Sequence, residues 1–469
     1  MSDHNTTNMQ SNSSSTKPKP ASQNSEKATE YLPPLVVTKA YNLITGDEDS
    51  RVCKEIPEQA CRHQPRNFFG YLIANFLGKV ADELASAKLI LPWLMGALGA
   101  PSALVGFLVP IRESGVLLPQ LFVAAKVRNR PRRKGVWLLG AALSGFALIL
   151  MAITAISFTG ATAGWMILFA LVVFSLARGL CSVSAKDVLG KTVSKGKRGV
   201  LMGVSAGLAG VAGLVVGIYI EFYNSTPPIE LLAWLLLFGG ILWFIALLFF
   251  NTINEHDGAT EGGGNAIKTA FESFSLLKTD LPFRHYVIGR ILLLSSALVP
   301  PFYILIAQEY SAGELTGLGM LIISAGIASM VSAPLWGKLG DYSSKLVMAF
   351  ASVGIGALGV ALFTLIEADS NWLLNPLTHA FFFFAITVFH GGVRLGRKIY
   401  LVDLANEHTR ATYVALSNTV IGIAMLTGGL IGLLADIISI HFVILLLSLI
   451  AFAAAWWNAR LKEVSVKGD

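Results

Sequence analysis

Five ionisable residues sit where an apolar chain should carry none. Lys79, Asp82 and Glu83 share one hydrophobic run, and Arg112 and Glu113 share the next. A charge held at mid-bilayer costs about 2.5–3.5 kcal/mol on insertion scales, so such a group is a functional candidate, and proton carriage is the chemistry it suits best. The spacing lets Lys79 reach Asp82 at i+3 or Glu83 at i+4, but it cannot neutralise both. One acid is left for a proton or for Arg112. The expectation is that Glu83 or Glu113, desolvated and incompletely paired, carries the proton. A static salt-bridge network that only sets helix packing is the alternative.

The elements that must position these residues follow from composition. Of 469 residues, 54% are hydrophobic and only 14% charged, and the mean hydropathy is +0.62. A soluble chain could not cover its surface with so little charge, whereas a bilayer-embedded one has no need to. The 45 glycines fit close helix approach in lipid. Residues 1–66 differ in kind: Ser11 to Ser25 is a polar tract with little to bury, so the tail is expected to be disordered and cytoplasmic. It has no signal-peptide pattern.

From Asn67 onward, apolar runs of about 20 residues alternate with short polar breaks, the spacing a hydrocarbon core of ~30 Å demands. This predicts an all-α integral membrane fold of twelve transmembrane helices. Helices 1 to 6 fall at about 68–97, 102–127, 136–158, 163–190, 199–221 and 228–250. Helices 7 to 12 fall at about 284–307, 314–339, 345–366, 376–404, 411–437 and 439–460. The first half spans 67–250, a cytoplasmic central loop 251–283, the second half 284–460, and a cytoplasmic tail 461–469. Pro92 in helix 1 and Pro300 and Pro301 in helix 7 predict kinks. On this numbering, Asp82 and Glu83 lie roughly 20 Å from the start of helix 1.

Lysine and arginine orient the chain. The breaks after odd-numbered helices hold none, while those after even-numbered helices hold Arg128, Arg130, Arg132, Arg133 and Lys134, then Lys195, Lys197 and Arg198, and later Lys268, Lys278, Lys345 and Arg410. The positive-inside rule then puts both termini in the cytoplasm, across an inner, cytoplasmic membrane. The net charge of +7 is thereby topological, and nucleic acid is not an expected partner. Cys53, Cys61 and Cys181 form no metal-ligand pattern, so no metal or cofactor is expected.

The halves match at an offset of 211 or 212 residues. Gly78-Lys79 falls on Gly289-Arg290, Gly106 and Gly115 on Gly317 and Gly326, Lys186 and Arg198 on Lys398 and Arg410, and Gly210 and Gly217 on Gly422 and Gly429. Two parallel six-helix repeats place a substrate site at their interface near the midplane. Arg290, the mate of Lys79, is expected to face that cavity, and Arg178 in helix 4 has His390 in helix 10 as its mate. A histidine there can titrate in the physiological range, or be simply hydrogen-bonded. Lys186, Asp187, Arg394, Arg397 and Lys398 read as snorkelling or gate residues. The glycines of helix 5 (Gly203, Gly207, Gly210, Gly213, Gly217) and of helix 11 read as packing positions.

Between helices 8 and 9, Gly337-Lys338-Leu339-Gly340-Asp341-Tyr342-Ser343-Ser344-Lys345 resembles the G-x-L-G-D-x-x-x-K loop of the major facilitator superfamily. The resemblance covers about residues 67–460 and implies two pseudo-symmetric six-helix halves, with Gly337, Gly340, Asp341 and Lys345 as a cytoplasmic gate motif. The first-half loop, Lys126 to Lys134, lacks both glycines and has Arg130 at the aspartate position. Arg178 resembles the family's helix 4 arginine linked to proton coupling, although the R-x-x-Q-G context is missing. Lys186 to Thr192 resembles an uncharacterised bacterial branch of the superfamily, which brings no substrate with it.

No phosphate-binding G-x-x-x-x-G-K-[ST] loop or hydrolase constellation occurs, so neither ATP-driven pumping nor an enzyme is expected. The reading is a monomeric secondary transporter in contact with lipid, moving a small solute by alternating access with protons, in a direction the residues do not fix. The alternative is a transporter-like scaffold, sensor or assembly factor that acts through its cytoplasmic tail.

Overall fold

A computed structural model describes residues 35–45, 63–118, 130–223, 228–258, 273–311, 315–406 and 409–464. These residues are helical, with no strand among them. Ten helical stretches are long and apolar enough to cross a membrane, and they are the expected helices 3 to 12. Helices 3 to 6 are Lys134–Ser157, Gly160–Thr192, Lys195–Tyr223 and Pro228–Asn251. Helices 8, 9, 10 and 12 are Leu315–Tyr342, Ser344–Glu367, Pro376–Leu404 and Ile440–Ala459. Two starts are capped from the sequence: Asp280 accepts from the Phe283 amide ahead of helix 7 (3.0 Å), and Asn375 from the Leu377 amide ahead of helix 10 (3.0 Å).

Four of the twelve are broken, and two of them explain why only ten pass as single spans. Helix 1 is Gln64–Leu84 followed by Ile90–Ala97. Pro92 has no amide to give the Lys88 carbonyl, and its ring crowds that carbonyl, so the helix unwinds just ahead of it. The break therefore falls at Ala85 to Leu89 and turns Lys88 away from a helical path. Helix 2 is Ser102–Val105 and Leu108–Leu117; the remainder of its expected range lies outside the described residues. Helix 7 is Leu281–Leu292 and Ser295–Tyr310, broken one turn ahead of Pro300 and Pro301. Helix 11 is Arg410–Gly428 and Ile431–Ile437.

Packing repeats as the sequence does. Within the first half, helix 3 packs on helices 4 and 6, helix 1 on helices 5 and 6, and helix 2 on helix 4. The second half repeats each pairing six helices later: 9 on 10 and 12, 7 on 11 and 12, and 8 on 10. Between halves, helix 2 meets helix 11 and its mate helix 8 meets helix 5, while helix 1 meets its own mate, helix 7. This is the contact pattern of two copies related by a two-fold axis.

The halves meet over one part of their length. Gly106 and Gly432 bring helices 2 and 11 backbone to backbone: a Cβ on Gly106 would lie 2.6 Å from Gly432 Cα. Gly217 packs at 2.9 Å from Ile322 of helix 8. Towards the basic loops helix 5 loses such close neighbours. Gly203, Gly207, Gly210 and Gly213 have no atom within 4 Å of a would-be Cβ, so of helix 5's five glycines only Gly217 is a packing position in this conformation, contrary to expectation for the other four. Those of helix 11 do pack, with Gly422 against Leu118 and Gly429 against Phe107.

The tail was expected to be disordered over 1–66, yet Leu35–Thr45 is a helix and Gln64 already begins helix 1. The reason is local: unlike Ser11 to Ser25, this stretch has an aromatic to bury. Tyr41 is 6% exposed, stands edge-on to Phe68 at 5.2 Å and receives a hydrogen bond from Gln64. Lys197 Nζ donates to the Thr45 carbonyl (3.0 Å). Ser11 to Ser25 lies outside the described residues.

A side chain at Gly106 has nowhere to go. Gly106→Val is expected to force the helix 2 and helix 11 seam apart at an overpacking cost of ~1–3 kcal/mol. Thiol labelling of a cysteine placed at Ser102, in a background without native cysteines, should rise about fivefold or more. Unchanged labelling would show that the seam tolerates the added bulk.

Candidate functional site: a charged cavity between the halves

Where the halves part, a cavity of about 450 Å³ lies between helices 1 and 2 on one wall and helices 7, 8 and 10 on the other. The first-half wall carries Asp82, Glu83, Lys88, Arg112 and Glu113; the second-half wall carries Ser329, Phe383, Thr387, His390 and Arg394. The structure thus brings together most of the charges singled out in the sequence, and it pairs them differently.

Asp82 does not pair with Lys79. Its Oδ2 accepts from Arg178 Nη2 at 2.8 Å and Nε at 3.1 Å, and lies 3.5 Å from Arg112 Nη2. One carboxylate therefore ties helices 1, 2 and 4. The guanidinium groups are held by aromatic faces as well: Arg178 lies 4.5 Å from the Trp243 ring centroid, and Arg112 5.1 Å from that of Phe174. Lys79 instead reaches Ser205 Oγ of helix 5 at 3.5 Å, beside Asn75, which donates to the same oxygen at 2.7 Å. The i+3 and i+4 rule governs an isolated helix; here, guanidinium groups from two neighbouring helices take the acid.

Lys88, which the sequence reading passed over, is central. Its Nζ lies 3.8 Å from Glu113 and 3.1 Å from His390 Nε2 across the interface. An ammonium can only donate, so Nε2 accepts and the ring proton sits on Nδ1, 3.2 Å from Ser296 Oγ. Ser296 in turn donates to the Leu293 carbonyl at 2.8 Å, in the break of helix 7. The signal was present as a lysine four residues before a proline in an apolar run, where unwinding frees the backbone.

Two charges lining the cavity have neither a hydrogen bond nor an ion pair among the described residues. Glu83, on helix 1, is exposed to the cavity, and so is Arg394, on helix 10. Asp82, Lys88, Arg112 and Arg394 are the charged groups that act on Glu83. Arg290, expected in the cavity, is not there. It is 7% exposed and donates to Ser417 Oγ (2.8 Å) and Asn418 Oδ1 (2.9 Å), because helix 11 rather than the interface faces it.

Four hydrogen bonds close the seam, three of them past the cavity, away from the basic loops, and the fourth, at Ser114, level with it. Gln308 Nε2 donates to the Trp93 carbonyl (3.0 Å), the Ala103 amide to Asp436 (3.2 Å), the Met320 amide to Glu221 (3.0 Å) and Ser114 Oγ to the Gly422 carbonyl (2.8 Å). All four join a side chain to a backbone group, which no residue-type pattern announces. Ser114 and Gln308 are buried.

The gate motif lies at the opposite, basic end. Gly340 lets helix 8 pass helix 10, since a Cβ there would stand 2.7 Å from Ile399. Gly337 touches nothing within 4 Å. Asp341 is exposed, inside helix 8, and makes no ion pair among the described residues. Lys345 turns to the chain after helix 12, donating to the Leu461 carbonyl (3.1 Å) and lying 3.6 Å from Glu463. Lys126 to Asn129 of the first-half loop lie outside the described residues. The rest of that loop is anchored by Glu255, whose carboxylate accepts from the Arg133 and Lys134 amides (2.9 and 2.6 Å) and pairs with Lys191 (3.2 Å). A carboxylate thus caps helix 3 where no residue of that helix can. Arg133 and Lys191 also pair with Asp187. Cys181 is a buried free thiol, and no cluster among the described residues could hold a metal; Cys53 and Cys61 lie outside them.

Removing the Asp82 charge should cost more than removing a surface acid, because two guanidinium groups would be left without their anion. Asp82→Asn is expected to lower the Tm of the purified protein by about 5 °C or more. An unchanged Tm would mean that the aromatic faces alone hold Arg112 and Arg178.

Residues 287–468 match the family model of the Major Facilitator Superfamily. No curated protein matches the chain in sequence. Among solved structures, a D-xylose-proton symporter is 14% identical with a TM-score of 0.62, covering 86% of this chain and 97% of that one. A mutant form of the nucleoside transporter NupG is 12% identical with a TM-score of 0.65, covering 84% of this chain and 99% of that one. A POT family transporter in complex with 5-aminolevulinic acid is 11% identical with a TM-score of 0.63, covering 83% and 95%. At such identities these likenesses speak for the fold, and they extend over both halves. The second half of this multi-pass membrane protein thus matches the sequence model of the Major Facilitator Superfamily, and both halves share the fold of these solved transporters.

Proposed function

We propose that the chain is a proton-coupled secondary transporter that moves a small polar solute by alternating access. The observation that carries this reading is the cavity between two pseudo-symmetric halves, sealed at one end by side chains, with helix 5's glycines facing open space towards the other. With the basic loops in the cytoplasm of an inner-membrane protein, this state faces inward. The unpaired Asp341 agrees with it, since a latch on the cytoplasmic side has nothing to hold while that side is open.

The proton carrier is Glu83. Protonating Asp82 would break contacts to two guanidinium groups, and protonating Glu113 would break its pair with Lys88. Protonating Glu83 breaks no ion pair. It still alters the field that Lys88, Arg112 and Arg394 experience, on both walls. A change in protonation at this place can bias one arrangement of the halves against the other.

Everted vesicles carrying a pH gradient, challenged with pools of amino acids, sugars, nucleosides and organic anions, should lose part of the gradient with at least one pool. Glu83→Gln should abolish that response while insertion and folded yield stay intact. A full response from the Glu83→Gln variant would exclude Glu83 as the carrier. Solute flux with no pH response would replace the proton by another coupling ion, or by none.

A further inference from the structure

Pairing off the charges around the cavity leaves a remainder. Asp82 is taken by Arg112 and Arg178, and Glu113 by Lys88, whose ammonium also reaches His390. Among the described residues that line the cavity, what is left is one carboxylate, Glu83 on helix 1, and one guanidinium, Arg394 on helix 10. They belong to opposite halves and to opposite walls of the same cavity. A neutral solute would leave both unmatched, and an anion or a cation would match only one. A solute with an ammonium at one end and a carboxylate at the other matches both.

The planar guanidinium of Arg394 suits a carboxylate, which it can hold through two parallel hydrogen bonds. Glu83 can hold an ammonium in return. The rest of the second-half wall supports this class without adding charge: Ser329 and Thr387 offer hydroxyls, and Phe383 an apolar surface. A volume of about 450 Å³ admits a free amino acid or a short peptide and excludes a large folded ligand.

Resting on the proposal that this cavity carries the cargo, we infer that the substrate class is a small zwitterion, an amino acid or a short peptide, held between Glu83 and Arg394. Such a solute bridges the two halves, so its binding acts directly on their arrangement. Its ammonium meets the same carboxylate that takes the coupling proton, so solute and proton compete at Glu83.

The test uses the purified full-length protein and four sets of probes: α-amino acids, ω-amino acids of increasing chain length, the matching carboxylic acids, and the matching alkylamines. At least one zwitterion should stabilise the protein against heat or bind by calorimetry. Its acid and amine analogues should bind about tenfold or more weakly, since each forfeits a charge-assisted contact. In Arg394→Gln the zwitterion should fall to the level of its amine analogue, and in Glu83→Gln to that of its acid analogue. Equal binding of zwitterion and amine, or of zwitterion and acid, would overturn the assignment. So would silence from every amino acid and from di- and tripeptides at about 1 mM, the upper end of usual KM values. Flux of a sugar or nucleoside in vesicles, with no zwitterion bound, would sink this class and leave transport standing. Zwitterion binding without flux would do the reverse.

Discussion

The cost of holding charge away from bulk water constrains the first half more than any other term. Asp82 meets that cost by accepting from Arg178 and Arg112 at once, so one side chain joins helices 1, 2 and 4. Trp243 and Phe174 back the two guanidinium groups with their ring faces. Truncating one partner of such a set leaves buried charge uncompensated, which is far more costly than the net worth of any single pair. Helices 1 and 2 are both interrupted, and this network holds them in register where their own backbone hydrogen bonds do not.

With that half held, the interface can be selective. Hydrogen bonds donated by Gln308 and accepted by Asp436 and Glu221 close one end of the seam, and backbone contact at Gly106 and Gly432 brings the halves close there. Among the described residues, the other end has no comparable set. Its glycines on helix 5 face open space, and its motif aspartate is unpaired. The same surfaces are built to meet, since small residues on helix 5 would let helix 8 approach as closely there as it does at Gly217. Lys88 and His390 lie at the boundary between the closed and the open region, at the breaks of helices 1 and 7. Rocking of one half against the other would pivot about this level.

The sequence made the fold legible because the bilayer imposes a length on every span and a charge bias on every loop. The repeat was legible for a related reason: glycines at a fixed offset mark close approaches, and Gly106, Gly217, Gly422 and Gly429 all pack against the other half. Partner choice was not legible. Lys79 and Asp82 have the spacing of a helical ion pair, yet Asp82 binds an arginine 96 residues away because helix 4 packs beside helix 1. Arg290 was placed in the cavity by symmetry with Lys79, and both residues turn out to serve helix–helix contacts instead. Lys88 was missed since the position of a helix break, rather than residue type, sends its side chain into the cavity. The helix at Leu35–Thr45 escaped notice because its few apolar residues are enough only when helix 1 supplies the surface.

The central claim is that this is one of two arrangements of the same halves, exchanged by protonation inside the cavity. Electron paramagnetic resonance distances between paired spin labels would test it directly. One pair would sit at Lys186 and Lys398 on the basic face, and the other at Ser102 and Ile437 across the closed seam. With cytoplasmic acidification, and in Glu83→Gln, the account predicts two distance populations whose weights shift in opposite senses, the basic-face pair closing as the seam pair opens. Distances on both faces that stay single and unchanged under those conditions would contradict it.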